Sequence, residues 1–187
     1  MEAIIISGKP AAGKTTVAKI LAERLKIKAI GGGDILKEMA LERGYNAHGD
    51  SWWDTEEGLK FLDERKKNPD FDNEADRRLI KKIEAGNIVV TSYTAAWICK
   101  KGFKVWLDGT LKTRAERMGK RDNSDISETM KIVKIRDEEN LSVYKKLYNI
   151  DIWNDKSPFD IIIKTDSKAP SEIADIILEN FKKRNAM

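Results

Sequence analysis

Gly8-Lys9-Pro10-Ala11-Ala12-Gly13-Lys14-Thr15 places two glycines, a lysine and a hydroxyl in the spacing G-x-x-x-x-G-K-[ST], the Walker A pattern. Residues of these types at this spacing can cradle phosphate. Glycines let the backbone wrap with its N–H groups pointing inward, as a nest for anionic oxygens. A helix starting near Lys14 adds the partial positive charge of its N-terminus. Lys14 would reach the outer phosphates of a nucleoside triphosphate such as ATP, and the Thr15 hydroxyl would hold Mg²⁺. Gly8, Lys9, Ala11, Ala12, Gly13 and the second hydroxyl of Thr16 complete the candidate cradle.

A second stretch with chemical potential is His48-Gly49-Asp50-Ser51-Trp52-Trp53-Asp54. Adjacent tryptophans in a polar, glycine-containing segment can stack on a base, with Asp or Ser reading its edge. They can equally pin the segment onto the core, with Asp50 or Asp54 capping the next helix. Trp53 is the candidate for substrate contact, and Trp52 is read as packing. His48 is the sole histidine, with no Cys or second His beside it, and is read as structural. Asp34 is read as a helix cap that can also organise Mg²⁺-bound water. Arg77 and Arg78 can clamp an acceptor phosphate or pair with Asp72 and Asp76.

The elements that position these residues alternate. Ala3 to Ser7, Ile27 to Ile30, Ile88 to Val90, Phe103 to Leu107 and Phe159 to Ile163 are short apolar runs, as expected of strands buried on both faces. Between them the period changes to that of helices. Val17, Ile20, Leu21 and Leu25 share one helical face. Asp34 to about Arg43, Thr55–Lys66, Asp72–Ala85, Ala95 to Lys101, a polar stretch from about 111 to 148 broken near Asp122-Asn123-Ser124, and the segment after Pro170 also read as helical. Alternation of this kind implies an α/β fold: a three-layer αβα P-loop NTPase domain with a five-stranded parallel sheet, spanning 1–187, and a phosphate site at the carboxyl ends of the strands.

Composition limits the partners. Among 187 residues, 41% are hydrophobic and 35% charged, which is globular. The net charge of +4, from 35 basic and 31 acidic residues, is small for a nucleic-acid binder. Cys99 is the sole cysteine, so no internal disulfide forms and a reducing compartment is expected. No apolar run approaches ~18 residues, and Met1 leads almost directly into the first strand, so neither a membrane span nor a signal peptide is expected and the chain is read as cytoplasmic.

In its order of motifs the chain resembles the nucleoside monophosphate kinases, and among them the archaeal cytidylate kinase family. The resemblance rests on the phosphate loop and on Ala29-Ile30-Gly31-Gly32-Gly33-Asp34-Ile35-Leu36-Lys37. Further on it rests on Asn68-Pro69-Asp70-Phe71-Asp72 through Asp76-Arg77-Arg78, on Arg114-Ala115-Glu116-Arg117, and on Ile135-Arg136-Asp137 with Tyr144 to Asp151. It implies transfer of the terminal phosphoryl group of ATP, with Mg²⁺, to a nucleoside monophosphate, CMP or dCMP before others. It also implies an acceptor-binding insertion at about 34–85 and a lid at about 117–150. Arg117 and Arg121, four apart on one helical face, and Arg136 would be the lid arginines that act beside Lys14 in catalysis.

Departures from the family pattern fall on the acceptor side. Thr91-Ser92-Tyr93-Thr94 stands where an acid, a glycine and an arginine commonly end the third strand. Gly31 stands for a common serine, Val143 for an arginine, and Lys37 for an acceptor-phosphate arginine. Lysine keeps the charge but not the bidentate fork. Ser92 and Tyr93 thereby become candidate acceptor contacts with Asp34, Lys37, Trp53, Arg77 and Arg78. Three readings stay open at this stage: a monophosphate kinase, a kinase for another small acceptor such as a nucleoside or metabolite, and a nucleotide-binding module without kinase activity.

Overall fold

The computed structural model describes residues 1–48, 52, 55–68 and 70–186, with Lys66 described by its backbone alone. The candidate Trp53 and the possible caps Asp50 and Asp54 lie outside the described residues. Five parallel strands form one sheet: β1 (Ile4–Gly8), β2 (Lys28–Gly31), β3 (Ile88–Thr91), β4 (Phe103–Asp108) and β5 (Ile161–Lys164), in the order β2-β3-β1-β4-β5. The helices are α1 (Lys14–Leu25), α2 (Gly32–Glu42), α3 (Glu56–Lys67), α4 (Asp70–Ala85), α5 (Ala95–Ile98), α6 (Leu111–Asp122), α7 (Ile126–Tyr148) and α8 (Pro170–Asn185).

Strand alternation divides the core into two layers. Ile5, Ile88 and Val90 face one side, where they pack with Ile35, Met39, Leu79 and Ile83 of α2 and α4. Ile4, Ile6, Val89, Val105 and Ile163 face the other, against Val17 and Leu21 of α1 and Ile173 and Ile177 of α8. The central strand β1 is buried along its length because helices cover both faces. The two edge strands are less enclosed, and Ile162 of β5 is half exposed.

Parallel register brings the carboxyl ends of the strands to one edge. Gly31 pairs with Thr91, Ile6 with Thr91, and Gly8 with Leu107. The chain moves outward from β1 to one flank and later to the other, so the crevice beside the β1 exit is where such a sheet opens to ligands. Among the described residues no helix is long and apolar enough to cross a membrane.

Local boundaries correct several sequence expectations. Asp34 sits at the third position of α2 rather than at its cap, and its Oδ2 accepts the Gly31 N–H at 2.7 Å. The cap of α3 is Thr55, whose hydroxyl accepts the Gly58 N–H at 3.1 Å. Helix α5 stops at Ile98 instead of reaching Lys101, and β5 starts at Ile161 instead of Phe159. The expected break between α6 and α7 is present, with Asn123 in the left-handed region at φ 52°.

Candidate active site

The phosphate loop leaves β1 through Gly8, whose φ of 154° and close approach to β4 both require glycine. A Cβ there would lie 2.5 Å from the Leu107 carbonyl oxygen. Ala11 at φ 60° and Gly13 at φ 96° continue the wrap. Helix α1 then starts with no side-chain cap and no acidic residue in its first turn. Its leading N–H groups are thus available to an anion, and the positive end of the helix is not neutralised by a carboxylate. This cradle fits the triphosphate that the sequence pattern implies. Thr15 and Thr16 are exposed, and Thr15 faces the adjoining cavity. Among the described residues no three His, Cys, Asp or Glu side chains are grouped to hold a metal, and the Thr15 hydroxyl is an oxygen that a phosphate-bound Mg²⁺ could use here.

The Lys14 ammonium spans the loop, donating to the carbonyl oxygens of Gly8 at 2.8 Å and Lys9 at 2.9 Å. It also lies 4.6 Å from the centre of the Tyr93 ring. Loss of solvent, and then the nearby Arg114 charge, lower its pKa to about 7, against a smaller opposing effect of Asp137. Phosphate oxygens favour the charged form, so the bound lysine must have a higher pKa than the free one. ATP binding near pH 8 is therefore expected to take up a proton, and affinity should fall as pH rises above about 7. Titration calorimetry in buffers of different ionisation enthalpy measures this directly; proton release or no exchange would contradict it.

The loop is braced from α6 by two arginines. Arg114 is buried, donating to Gly109 O at 3.1 Å and Pro10 O at 3.2 Å and forming a two-point ion pair with Asp137 of α7 at 2.9 and 2.7 Å. Asp137 also lies 4.0 Å from the Lys9 ammonium. Arg117 joins the loop to the segment after β5, donating to Ala12 O at 3.3 Å, Thr165 Oγ1 at 3.0 Å and Thr165 O at 2.5 Å.

A cavity of about 980 Å³ opens beside Lys14 and Thr15 and extends between the sheet edge and helices α2, α3, α4 and α7. Asp34, Lys37, Ser92, Tyr93 and Arg121 from the sequence expectations line it. Arg121 is 63% exposed and pairs with Asp122. Arg136 is exposed on α7 and outside the lining, though its charge acts on the Tyr93 hydroxyl and on Asp122. Arg77 and Arg78 are also outside the lining. Arg77 pairs with Glu74 at 3.0 Å, and Arg78 with Glu42 at 2.5 Å and Glu74 at 2.8 Å, instead of with Asp72 or Asp76.

The far wall holds residues that were not singled out as site residues from the sequence. Arg65 Nη2 pairs with Asp72 at 2.6 Å. Asp76 accepts from the hydroxyls of Tyr148 and, at 3.4 Å, Thr94. Burial raises the Asp76 pKa above the ordinary carboxylate value, against the lowering effect of the Tyr148 hydrogen bond. Asp72 and Asp76, four apart on α4, turn the same face toward the cavity, and that spacing was the available signal. Trp52 packs on Phe61 at a ring separation of 5.6 Å and is 3% exposed, as expected of a residue that pins its segment to the core.

Solved structures with this architecture include two small-molecule kinases. Shikimate kinase from Acinetobacter baumannii superposes with a TM-score of 0.56 at 16% identity, covering 98% of this chain and 94% of that one. A gluconokinase from Sinorhizobium meliloti gives 0.56 at 15%, covering 97% and 92%. These share the fold alone. In sequence, the cytidylate kinase of Pyrococcus horikoshii is 34% identical over 175 residues, 93% of this chain and 85% of that protein. That of Methanocaldococcus jannaschii is 34% identical over 188 residues, 96% and 99% of the two chains. Residues 3–167 match the cytidylate kinase-like family, and the chain belongs to that family.

Proposed function

We propose that the protein transfers the γ-phosphoryl group of ATP to CMP or dCMP, yielding ADP and the corresponding diphosphate. The observation that carries this reading is the continuous cavity from Lys14 and Thr15 at one end to Asp72 and Asp76 at the other. An acceptor spanning it would set its phosphate near the loop and its base against carboxylates. The exocyclic amino group of cytosine is a hydrogen-bond donor that uracil lacks, and a partly buried carboxylate is its natural acceptor. Relatives named cytidylate kinase, similar over nearly the whole chain, favour this acceptor over a nucleoside, another metabolite or a module that transfers nothing.

In the reaction an oxygen of the acceptor phosphate attacks the γ-phosphorus, the bond to the β–γ bridging oxygen breaks, and ADP leaves. The loop N–H groups and Lys14 hold the outer phosphates and offset charge on the transferring group. Mg²⁺, held through Thr15 and the phosphates, would add charge neutralisation there. Lys37 and Arg121 supply positive charge on the cavity wall where an acceptor phosphate approaches. Arg117 would fix the cradle against the β5 exit, and Arg136 would join on closure of the 117–150 segment over the 34–85 insertion, keeping water from the γ-phosphate.

ADP release coupled to NADH oxidation tests this across the ribo- and deoxyribonucleoside monophosphates. CMP and dCMP are expected to turn over, with UMP well behind; no acceptor-dependent release would sink the proposal. In Asp76→Asn the amide can still accept but brings competing donors, so kcat/KM for CMP should drop about tenfold or more. UMP should gain relative to CMP, and an unchanged CMP:UMP ratio would remove Asp76 from base recognition.

A further inference from the structure

Lys14 has three N–H donors, and two of them go to the Gly8 and Lys9 carbonyls. The remaining side of the ammonium faces the Tyr93 ring, 4.6 Å from its centre. Among the described residues no carboxylate bonds to the ammonium, and the Asp137 charge acts on it only from a distance. The backbone around Tyr93 is fixed by Ser92, whose hydroxyl accepts the N–H groups of Thr94 at 3.1 Å and Ala95 at 3.0 Å. The ring itself is held between two others. Tyr144 of α7 lies 5.8 Å away, and Trp153, in the segment after α7, meets it edge to face at 5.9 Å. Trp153 is anchored in turn, its indole N–H donating to the Asp137 carbonyl at 2.7 Å.

An aromatic face and a carboxylate would treat this lysine differently. Both attract the ammonium, but a carboxylate would cancel its charge, whereas a ring quadrupole holds it and leaves the net charge in place. That charge is what a transferring phosphoryl group requires. The position also lies at the junction of the phosphate loop and the acceptor cavity, both of which Lys14 and Tyr93 line. Through its ring neighbours Tyr144 and Trp153, Tyr93 links the lysine to α7 and the segment that follows it.

We propose that Tyr93 is a positioning residue for Lys14: its ring face holds the ammonium between donor and acceptor without neutralising its charge, and its packing on Tyr144 and Trp153 ties that position to α7. The proposal rests on the kinase reading above. Because the ring face is the operative feature, Tyr93→Phe should stay within about twofold of the parent in kcat. Tyr93→Leu and Tyr93→Met, apolar but without a π-face, should lose about tenfold in kcat, while KM for CMP moves less than about threefold.

The full chain is assayed by ADP release with ATP and CMP, and each variant is checked for ATP binding by calorimetry. Should the leucine variant fail to bind ATP, the more adaptable methionine carries the comparison. The proposal is overturned if Phe falls as far as Leu, since the hydroxyl would then be the active feature. It is equally overturned if Leu and Met keep the parent kcat, or if the loss lies in KM for CMP, which would make the ring an acceptor contact. An unmodified protein that turns over no monophosphate defeats the kinase reading, and this proposal with it. An active parent with equally active variants defeats this proposal alone.

Discussion

Replacing Lys14 by alanine is expected to lower kcat for phosphoryl transfer by roughly 10²-fold or more while leaving the fold intact. The ammonium is the positive side chain seated in the mouth of the loop, bonded to Gly8 O and Lys9 O. Its surroundings exclude much of the water that would screen it, so its action on a phosphate is stronger than that of an exposed lysine. The same enclosure depresses its pKa from 10.5 to about 7, chiefly by desolvation, which means that the folded chain disfavours its charge. The sign for stability follows. Between pH 7 and 10.5 the unfolded chain holds a proton here that the folded chain has released, so this group makes stability rise with pH over that window. Lys14→Ala should therefore keep or increase the thermal midpoint at pH 7 and lose that rise. Steady-state kinetics with parallel thermal melts at pH 7 and 9 measure both. Retained kcat would remove Lys14 from the reaction, and a large drop in midpoint would make its role structural.

Arg114→Leu is expected to be the most destabilising of the substitutions considered. The Arg114 side chain is 3% exposed and its partner Asp137 15% exposed, and they share two hydrogen bonds. Removing the arginine strands a largely buried carboxylate, at a cost of about 3–5 kcal/mol. For a chain of this size that corresponds to a fall of roughly 6–20 °C in thermal midpoint. The loop also loses the donors on Pro10 O and Gly109 O, so ATP affinity should fall together with stability. The double variant Arg114→Leu/Asp137→Leu should recover a large part of the lost stability, because no charge is then left alone. Differential scanning calorimetry of the single and double variants decides it. A midpoint within 2 °C of the parent for Arg114→Leu would show that Asp137 finds solvent or Lys9 instead.

These two cases differ in how far they could be read before the fold was known. Lys14 is legible from its neighbours in sequence, because a phosphate cradle is local: the strand, the loop and the helix N-terminus are contiguous, and their chemistry depends on spacing. Arg114 stands in a polar helical stretch with Lys112, Arg117, Lys120 and Arg121. Helical periodicity there shows a charged surface, and which of five cations is buried depends on where α7 packs. Arg77 and Arg78 show the reverse error, since both carry a suggestive charge yet turn to Glu74 and Glu42. Two carboxylates that do face the cavity, Asp72 and Asp76, stand on the same helix α4, and Asp76 is the residue directly before Arg77.

The sequence by itself determined the α/β class, the strands with small boundary shifts, the phosphate loop and the family, because each depends on short-range pattern or on the linear order of motifs. Tertiary structure alone decided which ionisable groups face the cavity, which are buried as pairs, and that Tyr93 lies against Lys14. Facts of this kind come from distant segments, such as Arg117 and Ala12, 105 residues apart, being brought within hydrogen-bonding distance. Charge and burial at such distances depend on how helices dock on the sheet, and no local spacing in the chain encodes that.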